Sequence, residues 1–447
     1  MFEKLSIFKS IAILACFVFV LVAYSVSYNR TFLSSLKPFE LLNDKNLSLI
    51  SLITLNLSTS QCRPLFSSNK QYYANVNGEI YPKIVPLILN KSINFECLNK
   101  QTAPKIILMW NSFFGDKFYG HTEGNKGFID NKCPVTNCYI TADKNRLNEA
   151  DMVVTHMRDG ISEPPKGIRP EKQRWIFLLY ESPIHANIPT KYNGFYNLTS
   201  TYLIGSDFPD FYSSNSLIWK KNSAFDVNKD YLSSKKNFAA AVISNCNVQS
   251  KRTKYINQMK KIVKVDVFGK CGVPCNPKAT CKQDIAKNYK FYLSFENSIC
   301  KDYITEKFFG ILEYEIIPVV MGGGRYEKYV STPLFILVFE LLNEYFCFFV
   351  KIPKSGFINA KDFSSPEKLT EYMKHLSNNK TAYNSYFKWK KHIVYQKKKY
   401  GFLPICEMCI KLNLDKIYGV KQSIIKDITE YWSPRSSCSN NASRIVF

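Results

Sequence analysis

From residue 105 onward, short apolar runs alternate with polar, turn-rich stretches. Residues 106–110 (IILMW) form an apolar run closed by polar Asn111 and Ser112, the pattern of a buried strand. Similar runs occupy 151–156 and 175–180, with Pro and Gly between them, as at 164–167 (PPKG). The pattern predicts one α/β domain over 105–234, closed by the polar, charged stretch 223–234 as a linker. A second alternation starts at Lys235. Strands are expected at 238–244, 265–269, 289–295 and 316–321, the last running into Gly322, Gly323 and Gly324. A helix is expected over 252–263, with Tyr255, Ile256, Met259, Ile262 and Val263 on one face, and another from about Thr305. Alternating strands and helices predict parallel sheets of Rossmann type, which bind ligands beyond the carboxyl ends of their strands. Two such domains facing each other would make a cleft.

The longest apolar run lies upstream, at 11–26 (IAILACFVFVLVAYSV). With Ser10 it reaches about 17 residues, the lower limit for a spanning helix. A cleaved signal peptide, a buried helix and a signal anchor all fit such a run. Ala23-Tyr24-Ser25 is only a fair cleavage site, and the polar, aperiodic stretch behind it reads as a stem, which favours the anchor. The expected order is a cytoplasmic tail at 1–9, an anchor at 10–27 and a stem at 28–104. Lys4 and Lys9 precede the run and keep the tail cytoplasmic, although Arg30 and Lys37 weaken that bias. The body of the chain is then luminal.

Composition narrows this picture. The 447 residues carry a formal net charge of +24, which calls for an anionic partner. A luminal body argues against nucleic acid. Asn29, Asn46, Asn56, Asn90, Asn197, Asn379 and Asn441 each begin an Asn-x-Ser/Thr triplet, as glycosylation candidates would. Fourteen cysteines fit an oxidising compartment. Cys406 with Cys409, Cys133 with Cys138, and Cys271 with Cys275 are candidates for short-range disulfides, although spacing does not settle connectivity. His121, His156, His185, His375 and His392 show no metal-ligand spacing and no Asp-x-Asp occurs, so no metal site is expected.

The charge is uneven. Residues 235–307 hold fifteen Lys and Arg against five Asp and Glu. Residues 385–427 hold ten against three, including Lys397, Lys398 and Lys399, which read as a solvated basic face. In the first segment Arg252 and Lys307 fall at predicted helix starts. Free N–H groups and a positive dipole end make such positions fit for a diphosphate. This points to a nucleotide-type donor.

The segment 291–298 (FYLSFENS), followed by 302–307 (DYITEK), resembles the α1,3-fucosyltransferase family, glycosyltransferase family 10. The family's core motif has the form FxxxFENS…DYxTEK before a Pro-Val-Val-Gly stretch, here 317–322 (IPVVMG). Other blocks agree in order. They are 106–110, then Cys133 and Cys138 before 151–156, and 180–183 (YESP) before 195–199 (FYNLT) with Ser206 and Asp207. They continue with 242–246 (VISNC), Arg252 and 265–269, and then Phe357, Ile358, Asp362, Phe363, Tyr386, Phe387 and Trp389. The resemblance covers about 105–409.

It implies a GT-B type α/β fold of two Rossmann-like domains, an acceptor-side domain at 105–234 and a donor domain at 235–410, with 411–447 as an extension. It also implies a type II Golgi membrane anchor, GDP-fucose as donor, a glycan acceptor containing N-acetylglucosamine, and inversion without a required cofactor. Mn or Mg as a stimulating cation stays open. By resemblance Glu181 is the base, in a context where a helix-cap or ion-pair glutamate would look alike. Arg252 and Lys307 are the phosphate cations, Arg252 by a two-N–H fork. Glu306 is expected on ribose or fucose hydroxyls, Asn297 and Tyr303 along the nucleotide, and Glu296 on the sugar or bracing the loop. The rivals are an inactive luminal binding relative and a transferase of another nucleotide sugar. Intact Glu181, Arg252, Glu306 and Lys307 disfavour the first, and the long motif disfavours the second.

One segment departs from the family pattern. Residues 334–353 (LFILVFELLNEYFCFFVKIP) separate 330–333 (VSTP) from 354–358 (KSGFI), which the family joins by a short loop. Glu340, Asn343 and Glu344 make it a poor membrane span. A buried helix, a membrane-associating loop and a retained intron remain as origins, and its composition favours the intron.

Overall fold

The computed structural model describes residues 98–100, 103–158, 169–203, 205–209, 212, 217–219, 223–326, 354–395, 404–418 and 423–439, with two-residue strands at 75–76 and 79–80. The anchor at 10–27, nearly all of the stem, the 334–353 segment, Lys397–Lys399 and the triplets at Asn29, Asn46, Asn56, Asn90 and Asn441 lie outside these residues. Among the described residues no helix is long and apolar enough to cross a membrane.

Two five-stranded parallel sheets carry the body. The first holds β1 (Lys105–Met109), β2 (Cys138–Thr141), β3 (Met152–His156), β4 (Arg174–Leu179) and β5 (Leu198–Thr201) in the order β2-β1-β3-β4-β5. Every residue of β3, β4 and β5 is buried, as a parallel sheet covered on both faces requires. The second holds β6 (Asn237–Val242), β7 (Val265–Phe268), β8 (Tyr289–Phe295), β9 (Ile317–Met321) and β10 (Ile358–Asn359) in the order β7-β6-β8-β9-β10. Each sheet thus repeats one pattern, second-first-third-fourth-fifth. Strand order reverses between the first and third strands, and ligand sites lie off the carboxyl ends there.

The seven strands expected from apolar runs are all present, with ends shifted by up to two residues. The missed strands β2 (CYIT), β5 (LTST) and β10 (IN) have two to four residues, and β5 is mostly polar, so no sustained apolar run announces them. The expected helix at 252–263 forms as α1 (Arg252–Met259), with Tyr255, Ile256 and Met259 buried. The helix near Thr305 is a single turn, and α2 (Cys281–Asn288) precedes β8. A further helix, α4 (Pro366–Asn378), starts where Ser365 caps Lys368 N and Pro366 takes the first turn. Its face of Leu369, Met373 and Leu376 packs in one core with α1. The single turn Glu306–Phe309 is α3 below.

The C-terminal part returns to the first sheet. Helix α5 (Ile405–Tyr418) buries Ile405, Met408, Ile410, Leu412 and Leu414 in the core that holds Ile107, Val154, Ile176 and Leu178. Residues 405–410, read from sequence with the second domain, therefore pack on the first sheet. The same packing corrects the disulfides. Cys406 and Cys409, one turn apart on α5, face the chain around β2, and each bonds there instead of to the other. The pairs are Cys133–Cys406 and Cys138–Cys409, spanning 273 and 271 residues. Cys271 bonds to Cys246 at the ends of β7 and β6, and Cys275 to Cys281. The candidate triplet at Asn197 is corrected as well. Its side chain is buried, with Oδ1 accepting from Trp175 N (2.9 Å) and Nδ2 donating to Ser423 O (3.2 Å), which leaves no room for a glycan. Asn379 is exposed, and its Oδ1 caps Ala382 N.

The two α5 disulfides close overlapping loops that share residues 138–406, so either one alone keeps the long loop closed. Removing one pair by Cys133→Ser/Cys406→Ser is expected to destabilise by about 2 kcal/mol, and removing both pairs by about 5 kcal/mol or more. Thermal unfolding of the three proteins checks this. Equal losses for one pair and both would contradict this redundancy.

Candidate active site

The carboxyl ends of the two sheets meet. Strand β4 leads into Tyr180, Glu181 and Ser182, and β8 leads into Glu296, Asn297 and Ser298. Ser182 Oγ and Ser298 Oγ, both fully buried, are 2.7 Å apart in a hydrogen bond across the seam. Beside it, Glu181 Oε1 accepts from Tyr303 OH at 2.7 Å and from Asn297 Nδ2 at 3.1 Å. Both donors come from the second sheet's loops. Glu181 Oε2 has no hydrogen-bond partner among the described residues.

Tyr303 is buried, its ring 4.8 Å from Tyr202 and 6.2 Å from Tyr212. Burial, then the neighbouring Tyr212 and Glu181, push its hydroxyl well above the ordinary tyrosine range, so it remains a proton donor to Glu181. Its hydroxyl is committed to the glutamate. Tyr212, which no motif flagged, donates to Tyr180 O and backs the same corner. Asn297 Oδ1 is buried without a partner.

The next residue back, Glu296, is fully buried. Its Oε1 accepts from Thr305 N (2.8 Å), its Oε2 from Thr305 Oγ1 (2.8 Å), and Lys307 Nζ lies 3.4 Å from Oε2. Of the two roles expected for Glu296, bracing the loop is the one its burial matches. Thr305 in turn caps α3 (Glu306–Phe309), accepting from Lys307 N. Burial raises the Glu296 pKa and Lys307 opposes the rise. For Lys307, burial works against its charge, but Glu296 and Glu306 outweigh it and hold the ammonium above the ordinary lysine range. Lys307 Nζ also bonds Glu306 Oε1 at 3.1 Å, and the Glu306 side chain stays more than half exposed. Lys282, on the first turn of α2, donates Nζ to Glu306 O at 3.0 Å. It is a third cation of the site, and only the fold brings it there.

Arg252 sits at the reversal point of the second sheet. Its two terminal nitrogens donate to Phe295 O (2.8 Å) and Asn245 O (3.0 Å), tying the chain beyond β6 to the end of β8. Nε is buried and unpartnered. One N–H of each terminal nitrogen is thus spent on the main chain, and each keeps a second.

The loop 300–305 lies directly on Gly322–Gly324. A Cβ on Gly323 would overlap Cys300 O, and one on Gly324 would overlap the Ile304 side chain. The triple glycine is therefore required by close approach. Among the described residues no group of three His, Cys, Asp or Glu is placed to hold a metal ion.

Residues 102–213 match the model of the fucosyltransferase N-terminal region. Residues 232–345 and 343–431 match that of the glycosyltransferase family 10 (fucosyltransferase) C-terminal region. The last two pieces join inside the 334–353 segment. The glycoprotein 3-alpha-L-fucosyltransferase A of Drosophila melanogaster is 30% identical over 369 residues, covering 81% of this chain and 67% of its own length. Alpha-(1,3)-fucosyltransferase C of the same organism is 31% identical over 366 residues, covering 74% and 78%. The Homo sapiens 3-galactosyl-N-acetylglucosaminide 4-alpha-L-fucosyltransferase FUT3 is 33% identical over 294 residues, covering 64% and 74%. A crystal structure of an alpha1,3-fucosyltransferase with GDP-fucose aligns with 73% of this chain and 94% of that one, at 17% identity and a TM-score of 0.44. With both halves of the site inside the matched segments, the chain belongs to glycosyltransferase family 10, the fucosyltransferases, and is a glycosyltransferase.

Proposed function

We propose that the chain transfers L-fucose from GDP-fucose to the 3-hydroxyl of an N-acetylglucosamine in a glycoprotein or glycolipid glycan, with inversion at the anomeric carbon. The observation that carries this reading is the asymmetry of Glu181. One oxygen is pinned by Tyr303 and Asn297 and the other is unbonded, at the seam where the two sheets' ends meet. A fixed carboxylate with one unbonded oxygen suits a general base, because the acceptor hydroxyl must lose its proton as its oxygen attacks. The bond from the anomeric carbon to the diphosphate breaks as the new C–O bond forms, and the electron pair leaves with GDP. Lys307 is the cation that meets this charge, supported by Lys282 and by the N–H groups that Arg252 does not spend on the main chain. Glu306 is exposed enough to take a sugar hydroxyl.

The upstream apolar run with its polar stem supports a single-pass type II Golgi anchor and a luminal catalytic body. The curated relatives include a 3-alpha- and a 4-alpha-fucosyltransferase, and the acceptor assignment to a 3-hydroxyl follows the FENS…DYITEK resemblance.

The test expresses residues 105–447 with and without 334–353 and assays GDP-fucose against N-glycan and lactosamine acceptors. Transfer by neither form sinks the proposal. Glu181→Gln keeps an acceptor for Tyr303 but removes the base, and kcat should fall about 10²–10⁴-fold. Undiminished turnover would remove Glu181 from the role.

Lys307→Ala should lower kcat by about 10²–10³-fold. It should also lower Tm, because Glu296 loses its cation. Glu296 binds its proton more tightly folded than unfolded, so its burial favours the fold at low pH and opposes it as pH rises through the raised value. The Tm deficit of Lys307→Ala should therefore shrink on acidification from neutral to about pH 5. A pH-independent deficit would contradict the pairing.

A further inference from the structure

Residues 423–439 form a strap that joins both halves of the site, and its second half lies beyond the family match, which ends at 431. Its first half runs along the acceptor-side sheet. Ile425 N donates to Tyr196 O (2.8 Å), and Gly194 N donates to Ile425 O (3.1 Å). Asn193 Oδ1 accepts from Thr429 N (3.1 Å). Its second half pairs with the loop of the donor-side motif. Cys438 is bonded to Cys300, Lys301 N donates to Ser437 O (2.6 Å), and Ser439 N donates to Ile299 O (2.9 Å). Gln249, just before α1, clamps the same point by donating to Ser439 O (2.7 Å) and accepting from Ile299 N (2.9 Å).

Between the two halves, buried Trp432 stands 5.3 Å from the Tyr202 ring, and Tyr202 stands 4.8 Å from that of Tyr303. The loop from Cys300 to Thr305 is thus held on one side by Gly322–Gly324 and on the other by the strap. That loop needs holding. Asp302, immediately before Tyr303, adopts φ +59°, a left-handed conformation that a non-glycine residue keeps only when its surroundings over-determine it.

We propose that the strap is a positioning element of the active site. By fixing Cys300 and, through Trp432 and Tyr202, the ring of Tyr303, it sets the Tyr303 hydroxyl on Glu181. Cys438 and Trp432 are its two positioning residues. The proposal rests on reading Glu181 as the base. An ångström of misplacement at a reacting group lowers rate by about two orders of magnitude, so the 2.7 Å Tyr303–Glu181 bond is where loosening of the strap would register.

The test measures kcat, both KM values and Tm for the full chain and for Cys300→Ser/Cys438→Ser, Trp432→Phe and Tyr303→Phe, each strap change also being combined with Tyr303→Phe. Far below Tm, each strap change should lower kcat about fivefold or more while the KM for GDP-fucose stays within about twofold. In the Tyr303→Phe background the same changes should lower kcat less than about twofold, because their effect passes through the missing hydroxyl. Trp432→Phe keeps the test open if the cysteine pair proves necessary for secretion. Unchanged kcat with a lowered Tm makes the strap a stability staple only and overturns the proposal. Full, multiplicative losses in the Tyr303→Phe background overturn it too. Glu181→Gln, assayed in parallel, separates the two readings. If it retains turnover, the base assignment fails, while the cycle between strap and Tyr303 still decides whether the strap positions that ring.

Discussion

A carboxylate held at a seam between two sheets sets the demands on the rest of this structure. Glu181 hangs from the first sheet, but its two side-chain donors, Tyr303 and Asn297, belong to the second. Hydrogen bonds to a charged group contribute about 1.5–3 kcal/mol each, and their strength falls steeply once geometry is lost. They therefore form only while the two sheets keep one register. The buried Ser182–Ser298 bond repeats the requirement a residue further on, since both hydroxyls would be left unpaired if the seam opened. The α5 disulfides and the 423–439 strap both tie C-terminal chain across to places far away in sequence. Glycines in the loop after β9 let the Tyr303 loop come close enough to reach.

The same seam separates two kinds of charge. Glu296 is an acid wholly removed from water, and its burial is tolerable because Thr305 and Lys307 occupy both oxygens. Lys307 is the partner that still reaches solvent. It neutralises the buried acid behind it and faces outward with Glu306, so the charge offered to a ligand is anchored by a group that no ligand touches. Arg252 shows the opposite economy. It lies at the reversal point of the second sheet, where an anion site is expected, yet its terminal nitrogens tie two strand ends together.

Much of the framework is legible in the chain. Strands β1, β3, β4, β6, β7, β8 and β9 are announced by apolar runs, most of them because both faces of a parallel sheet are buried. Strands β2, β5 and β10 are not, since short edge or near-edge segments such as LTST earn their place from neighbours. Motifs mark Glu181, Asn297, Tyr303 and Lys307 but not their partnerships. Nothing local in DYITEK says that the tyrosine serves a glutamate more than a hundred residues earlier, or that the glutamate of FENS is sealed beneath Thr305. The cysteines misled for the same reason. Cys406 and Cys409 look like a local pair in a linear text, and the helix that carries them turns both toward β2.

The basic charge shows where sequence reasoning gains from the fold. Along the sequence, residues 235–307 form one electrostatic feature, and the structure divides it by environment. Lys254, Lys260 and Lys264 lie on or near the solvent side of α1 and act at most as a screened field. Lys235 is buried but donates its ammonium to Ala286 O, and burial with nearby Lys390 brings its pKa down to about 8 even though Glu315 opposes the fall. What converges at the carboxyl end of β8 is a smaller set, Lys282, Lys307 and Arg252, gathered from two helix starts and a one-turn helix. A diphosphate responds to cations within a few ångströms in a partly desolvated setting, where each counts for several times its value in water. The net charge of the segment therefore carries little of the argument for a phosphate-bearing ligand, and the placement of these three carries most of it.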